Sequence, residues 1–156
     1  MIKPRPWCAS LLVFAALTAA FDHGISARPA ADTAVVITNR SPDDLRHDAF
    51  TIEQAEIHGA RLHLIISSGG GCRGHDYELL MTPAVFMESY PVQANLYLWH
   101  DAHDDPCDAI VRDSLVFDLG PIGRLYAQMY GPDGQVYLNL HDFEQTSSTR
   151  LVYRVR

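Results

Sequence analysis

The chain has 156 residues and a formal net charge of −7, with 12 lysines and arginines against 19 aspartates and glutamates. This length suits one domain with a hydrophobic core and is short for two domains of ordinary size. The acidic balance argues against nucleic acid and anionic membrane surfaces as partners, because both attract basic patches.

The N-terminal segment has the layout of a secretory signal peptide. Two cations, Lys3 and Arg5, precede the apolar run CASLLVFAALTAAF, and small residues follow it. The run is too short for a membrane-spanning helix, so we expect no integral membrane segment after cleavage. Small side chains allow cleavage after Ala20, Ala27 or Ala31, and Ala27 is the favoured position. Cleavage there removes Lys3, Arg5 and Asp22, which changes twelve basic against nineteen acidic residues into ten against eighteen and the net charge to −8. The sequence therefore predicts a signal peptide over residues 1–27 and a secreted or periplasmic protein.

Residues 28–48 are rich in Ala, Pro, Asp and Arg and contain one β-prone island, AVVIT. We interpret them as a flexible leader with an edge strand at that island. From residue 49 to residue 156 the chain consists of short alternating runs separated by Gly, Pro and Asp, which is typical of an all-β domain. The predicted strands are FTIEQAEI, RLHLIIS, HDYELLM, VQANLYLW, DAIVRDSLVFDL, QVYLNLHDF and STRLVYRV.

Two strands carry polar residues on an otherwise apolar face. His100 continues the face that Leu96 and Leu98 form, and Asp113 interrupts the face of Val111 and Leu115. We expect His100 to end a buried strand and Asp113 to mark a bend or bulge.

The segment PIGRLYAQMYG is the helical signal, with Pro121 suited to a first helical turn and Gly131 suited to the exit. Strands at this spacing, polar on their second face, favour an antiparallel two-sheet β-sandwich, immunoglobulin-like in general shape, with one short helix.

After signal cleavage the chain keeps two cysteines, Cys72 and Cys107. In an oxidising compartment the simplest interpretation is a disulfide. A bond that closes a loop of this length stabilises a fold by roughly 3 to 4 kcal/mol in the chain-entropy model.

The alternative is a metal site. Cys72-x-x-His75 and His100-x-x-His103-x-x-x-Cys107 carry the thiolates and imidazoles that zinc or copper prefers, beside glycines and a proline that could bend the chain. If the disulfide consumes both thiolates, His75, His100 and His103 could still hold a metal with Asp104 or Asp105. Without a metal, the expectation is no cofactor, and the DDP segment forms a turn.

Two further patterns in the sequence bear on catalysis and on ligand binding. Ser67 and Ser68 lie beside a glycine loop, but they lack the strand-turn-helix context of a nucleophile elbow, so a hydrolase is the third hypothesis and no catalytic residue is assigned. Tyr97 and Trp99 share a strand face with amides, which could bind a carbohydrate or peptide. Coverage of that face by a loop is the favoured alternative.

The segments GGGCRGHDYEL, FMESYPVQANLYLWHDAHDDPCDA and SLVFDLGPIGRLY, followed by GQVYLNL and LVYRV, resemble an uncharacterised family of bacterial secreted proteins and lipoproteins. That family has GGC-x-x-H, PVQ…H and DPC motifs in this order. The resemblance implies one β-rich extracytoplasmic domain and no known activity. Members often carry a lipid-anchor cysteine after the signal, whereas Cys8 lies at the start of the apolar run here. The matching positions are Cys72, His75, Pro91, Val92, Gln93, His100, Asp105, Pro106 and Cys107.

Together these observations predict a secreted or periplasmic, non-enzymatic module, tied by Cys72–Cys107, that binds an unidentified protein or carbohydrate. A zinc or copper module using His75, His100 and His103 is the alternative.

Overall fold

The computed structural model describes residues 32–44, 48–141 and 148–156. The predicted signal peptide lies outside these residues, as do residues 28–31 and 45–47 of the predicted leader. The described elements are β1 (Thr33–Ala34), β2 (Val36–Ile37), a 3-10 helix (Pro42–Asp44), β3 (Phe50–His58), β4 (Arg61–Gly70), β5 (Asp76–Met81), β6 (Val92–Asp101), β7 (Ala109–Asp118), α1 (Gly120–Tyr130), β8 (Gly134–His141) and β9 (Ser148–Val155).

The strands form two mixed sheets rather than antiparallel ones. The four-stranded sheet has the order β1-β7-β4-β3, and the five-stranded sheet has the order β2-β5-β6-β8-β9. Three pairs are parallel, namely β1 with β7, β2 with β5, and β6 with β8. The mostly β composition, the two sheets and the single α-helix predicted from the sequence are confirmed for the described residues, whereas the prediction of purely antiparallel sheets is wrong.

A long connection explains the parallel pair at the centre of the five-stranded sheet. After β6 the chain leaves this sheet, because β7 pairs with β4 in the other sheet and α1 follows before β8 begins. Parallel neighbours need such a crossover. The polar residues on the outer faces correctly indicated that the sheets are not buried on both sides. They carry no information on whether two neighbouring strands run parallel or antiparallel.

One hydrophobic cluster contains the inward residues of both sheets. From the four-stranded sheet it includes Leu62, Leu64 and Ile66, and from the five-stranded sheet it includes Leu96 and Leu138. These five side chains are fully buried. The apolar residues that alternate along the strands are therefore the residues that form the core. The layered immunoglobulin-like arrangement stays a prediction.

The expected irregularity at Asp113 is absent, because β7 keeps a continuous register with β4 from Ala109 to Asp118. The described bulge lies in β3 instead, between Ile52 and Gln54. Asp113 stays in the strand because its carboxylate accepts a hydrogen bond from the hydroxyl of Tyr77 at 2.7 Å. A polar partner inside the fold therefore removes the need for a bend.

The island AVVIT forms a strand in each sheet. Thr33–Ala34 pairs with β7, Val36–Ile37 pairs with β5, and Val35 between them is 3% exposed. This part of the predicted leader therefore packs against the domain.

Helix α1 begins one residue before Pro121, and the N–H of Gly131 donates to the carbonyl of Ala127 at its end. Ile122 and Gly123 face the core, where Gly123 lies beside the hydroxyl of Tyr153. Within the described ranges, no helix has the length and apolar character needed to cross a membrane.

Candidate functional site

The predicted disulfide is confirmed. Cys72, in the glycine loop after β4, is bonded to Cys107, in the loop between β6 and β7, with the two Cα atoms 5.8 Å apart. Sequence proximity does not explain this pairing, since 35 positions separate the cysteines. The bond joins the GGGC and DDPC segments at one end of the molecule.

An aspartate carboxylate reinforces this junction. One oxygen of Asp105, Oδ2, accepts the N–H groups of Gly71, Cys72 and Arg73 at 2.9, 2.9 and 2.7 Å. The other, Oδ1, accepts the N–H of Cys107 at 3.0 Å. We call this arrangement the Asp105 clamp. The sequence predicts Asp105 in a turn or as a metal ligand. Its contact with a loop about thirty residues away could not be predicted, because no local pattern indicates it.

The clamp stabilises the charged form of Asp105. Its side chain is 1% exposed. Burial acts to raise the pKa of this carboxyl, but the backbone donors of Cys107, Arg73, Cys72 and Gly71 outweigh burial and hold the pKa well below its usual range. Asp105 is therefore a buried carboxylate with four backbone hydrogen bonds.

Two of the three predicted histidine ligands meet beside the clamp. Nδ1 of His75 lies 3.0 Å from Nε2 of His100, and the ring centroids are 5.0 Å apart. His100 is fully buried and the His75 side chain is 4% exposed. The prediction that His100 continues the inward face of β6 is confirmed. We call these two residues the histidine pair.

The partners of the pair determine where its protons lie. Nδ1 of His100 is 3.1 Å from the backbone carbonyl of Asp48, which can only accept, so this nitrogen carries a proton. Burial lowers the pKa of His100, which favours the neutral ring and leaves Nε2 as an acceptor. His75 therefore donates from Nδ1 to His100. The opposite nitrogen of His75, Nε2, is buried, has no hydrogen-bond partner in the described ranges and lies 3.6 Å from Oδ2 of Asp105.

A tyrosine and a serine complete the surroundings of His75. The Tyr77 hydroxyl lies 3.3 Å and Ser68 Oγ lies 3.4 Å from Nδ1 of His75. Burial, together with the carboxylate of Asp113, raises the pKa of Tyr77 well above its usual range, so its hydroxyl stays protonated and donates to Asp113. Ser68 is 7% exposed. Serine, histidine and aspartate are thus neighbours, but in a site closed to solvent.

The third predicted histidine lies apart from the pair. His103 is exposed, and its Nε2 lies 2.9 Å from a carboxylate oxygen of Asp76. The backbone N–H of His103 donates to Oδ1 of Asp101 at 2.7 Å, and the φ angle of His103 is +53°. The turn at Ala102–Asp105 therefore directs this imidazole towards solvent while His100 faces the core.

Among the described residues, three whose side chains can bind metals lie close together: Cys72, Asp105 and Cys107. The disulfide uses both sulfurs, and the carboxylate already accepts the clamp hydrogen bonds. This group therefore reflects the structural junction.

A second notable surface lies at another part of the molecule. A cleft of about 950 Å³ is bordered by the start of β8, the end of β9, α1 and the loop before β6. Its lining includes four tyrosines and two arginines, which we call the tyrosine cleft: Tyr90, Tyr126, Tyr130, Tyr137, Arg154 and Arg156. These residues come from four separate segments, so no local pattern in the sequence groups them.

The predicted aromatic strip is partly covered. Tyr97 and Trp99 are both of intermediate burial. The Tyr97 ring stacks on His141, with centroids 4.4 Å apart and planes 6° apart. Beside it, Nδ2 of Asn139 bonds to the side-chain oxygens of Gln93 and Asn95 at 3.2 and 3.3 Å. The amides of this face therefore bond to one another, and the side-chain oxygens of Asn139 and Gln93 also accept hydrogen bonds from Arg150.

No family model matches the chain, and no curated protein matches it. Solved structures do resemble it. A NigD-like immunity protein from Bacteroides caccae aligns with a TM-score of 0.56 and 18% identity over 79% of this chain and 64% of that one. A putative toxin-related protein from Parabacteroides distasonis aligns with a TM-score of 0.54 and 22% identity over 78% of this chain and 60% of that one.

A protein of unknown function from Bacteroides vulgatus aligns with a TM-score of 0.51 and 9% identity over 80% of this chain and 58% of that one. The chain thus spans less than two thirds of the length of each of these three proteins. At these identities the likeness concerns the fold, and the chain is similar in fold to a group of β-rich proteins from Bacteroides and Parabacteroides.

Proposed function

We propose that this protein is a secreted or periplasmic, non-enzymatic binding module. The proposal rests on one observation: the chemically reactive side chains of this protein already serve to hold its fold together. Two cysteines form a bond, the Asp105 carboxylate accepts four backbone N–H groups, and the histidine pair is buried. These groups support the loops of one end, so we place function on an exposed surface instead.

The tyrosine cleft is the surface best suited to binding. Tyrosine and arginine are enriched where proteins bind proteins, because both combine a large contact area with hydrogen-bonding groups. Tyr90 is fully exposed and Tyr130 is 49% exposed. The similarity in fold to a protein described as an immunity protein is compatible with a binding role, and it adds no partner.

Site-specific photocrosslinking tests the proposal in cells that produce the protein. A benzophenone amino acid replaces Tyr90 in one variant and Glu56, an exposed residue of β3 in the other sheet, in a second variant. We expect a discrete adduct from position 90 and none from position 56. Equal adducts from both positions, or none from either in cells shown to export the protein, would contradict the proposal.

A metal-binding module is the second proposal, and the histidine pair supplies its candidate ligands. The proton that His75 donates spans the 3.0 Å between the ring nitrogens, and an ion held by both nitrogens would replace that proton at a ligand separation of roughly 3.3 Å. The Tyr77 ring stacks on His100, whereas its hydroxyl stays protonated and donates to Asp113, so we assign it no ligand role. His103, which lies outside the pair, would not take part in this site.

Elemental analysis of untagged protein purified without chelators tests the metal. A bound ion should be present at one equivalent, persist in His103→Ala and disappear in His100→Gln. Metal-free protein whose melting temperature does not change on addition of zinc and copper would exclude this second proposal.

A hydrolase is the third hypothesis. If any hydrolytic activity is found, its survival in Ser67→Ala and in Ser68→Ala would exclude these serines as the nucleophile.

A further inference from the structure

The unpaired edge of β9 borders the tyrosine cleft. β9 is the last strand of the five-stranded sheet, no described strand pairs with its second edge, and β3 of the other sheet lies close to part of it. Alternate residues of an edge strand present unpaired N–H and C=O groups, which an extended peptide can pair with. A second concavity of about 660 Å³ runs along this edge and shares Tyr137, Arg154 and Arg156 with the cleft.

The charges at this edge differ in sign from those of the whole molecule. The formal net charge is −7, yet Arg150 and Arg154 project from the outer face of β9 and Arg156 follows the strand. Arg154 and Arg156 form no ion pair with a carboxylate in the described ranges. Asp133 is the acidic residue among those that line the cleft, against these two guanidinium groups.

An exposed apolar side chain lies between two of these arginines. Val152 stands between Arg150 and Arg154 on β9 and is 45% exposed. The guanidinium of Arg150 lies 5.3 Å from the centroid of the Tyr137 ring. The exposed face of β9 therefore carries two arginines with a valine between them, and a bound strand with its acidic side chains on that face and its apolar side chains on the other would complement it.

We propose that β9 and the tyrosine cleft bind an extended acidic segment of a partner protein, which adds as a strand to the edge of β9 and places carboxylates on Arg154 and Arg156. This inference rests on the proposed binding function and names the chemistry of its partner. An extended segment fits because the edge supplies backbone hydrogen bonds, and an acidic segment fits because Arg154 and Arg156 form no ion pair in the described ranges.

Fluorescence anisotropy tests the inference on the full mature chain. The probes are fluorescein-labelled peptides of five Glu-Val repeats, five Lys-Val repeats, and the Glu-Val peptide with proline at two central valines. We expect binding of the Glu-Val peptide alone, and at least tenfold weaker binding in 0.5 M salt, since exposed ion pairs are screened. Proline should weaken binding because it removes backbone donors.

Arg154→Glu combined with Arg156→Glu should weaken binding of the Glu-Val peptide at least tenfold. Arg40→Glu, which makes the same kind of charge change at an exposed residue on the leader, should leave binding unchanged. Equal binding of the acidic and basic peptides, or no effect of the paired substitutions, would overturn the inference. So would binding of oligogalacturonate by a chain that ignores the Glu-Val peptide.

The two proposals fail in different ways. A crosslinked adduct at position 90 together with indifference to the acidic peptide removes the inference and leaves the binding function. Loss of the adduct removes the binding function itself.

Discussion

At the scale of single residues, glycine and aspartate at the disulfide junction carry the most specific roles. Gly70 has a φ of +142°, and a Cβ there would lie 2.6 Å from Nε2 of His75 and 3.0 Å from Oδ2 of Asp105. Neither neighbour can withdraw, since the histidine is in the pair and the aspartate is in the clamp. Gly70 is therefore required both for its backbone conformation and for the space it leaves.

Gly70→Ala should lower the free energy of unfolding by about 2 kcal/mol, because it adds backbone strain and a steric clash with buried groups. Gly69→Ala is the matched control, since a Cβ at Gly69 meets nothing within 4 Å. Its effect should stay within about 0.5 kcal/mol. Urea unfolding of both variants measures the difference, and equal stabilities would show that the space at Gly70 is unimportant.

Asp105→Asn should be clearly less stable than Asp104→Asn. The amide keeps the size of the side chain at position 105 but loses the charge and one acceptor of the clamp. Asp104 is exposed and has a φ of 52°, a conformation that asparagine tolerates. Melting temperatures at neutral pH, measured side by side, give the comparison, and similar values would argue against the clamp.

At the scale of elements, two loops far apart in sequence become one structural unit. The disulfide and the clamp join the glycine loop after β4 to the DDPC turn before β7, and the register between β4 and β7 runs from that junction to Arg61. The bond therefore closes the end of the largest strand pairing in the four-stranded sheet. It also positions His75 beside His100.

Replacing both cysteines with serine should lower the free energy of unfolding by roughly 3 to 4 kcal/mol, the loop-entropy value for a separation of 35 residues. Treatment of the wild-type protein with a reductant should reproduce the loss. The serine variant should not respond to reductant. An unchanged wild-type stability after confirmed reduction would mean that the clamp alone holds the junction.

At the scale of the whole molecule, the buried polar groups should make stability depend on pH. Burial lowers the pKa of His100 in the folded state from 6.5, so the unfolded chain binds more protons as the pH falls through that value. The stability that the neutral ring supplies is therefore present above pH 6.5 and declines below it. The lowered pKa of Asp105 adds stability that is present above 3.8 and declines as the pH falls further.

Urea unfolding between pH 8 and pH 3 should thus show two regions of declining stability. His100→Gln should reduce the slope in the first region, and Asp105→Asn should reduce it in the second, because each variant lacks the group that takes up the proton. If the first slope persists in His100→Gln, another group causes the pH dependence at mildly acidic pH.

Local patterns in the chain are sufficient to predict the strands, the helix and the disulfide. Alternation of apolar residues identified β3 to β9, and the presence of two cysteines after a signal-like segment identified the bond. The directions of strand pairing were not predictable, because they depend on which sheet each strand joins after a crossover. The role of Asp105 was also hidden, since three of its four donors, Gly71, Cys72 and Arg73, lie more than thirty residues away.

The sequence by itself therefore determined the β-rich class, the buried position of His100 and the pairing of Cys72 with Cys107, because burial and redox chemistry are properties of local residue types. Only the tertiary structure decided that His75 meets His100 while His103 turns outward, and that tyrosines and arginines from separate segments line one cleft. The physical reason is that a turn with positive φ values and two sheets with crossed connections set directions that no period along the chain encodes.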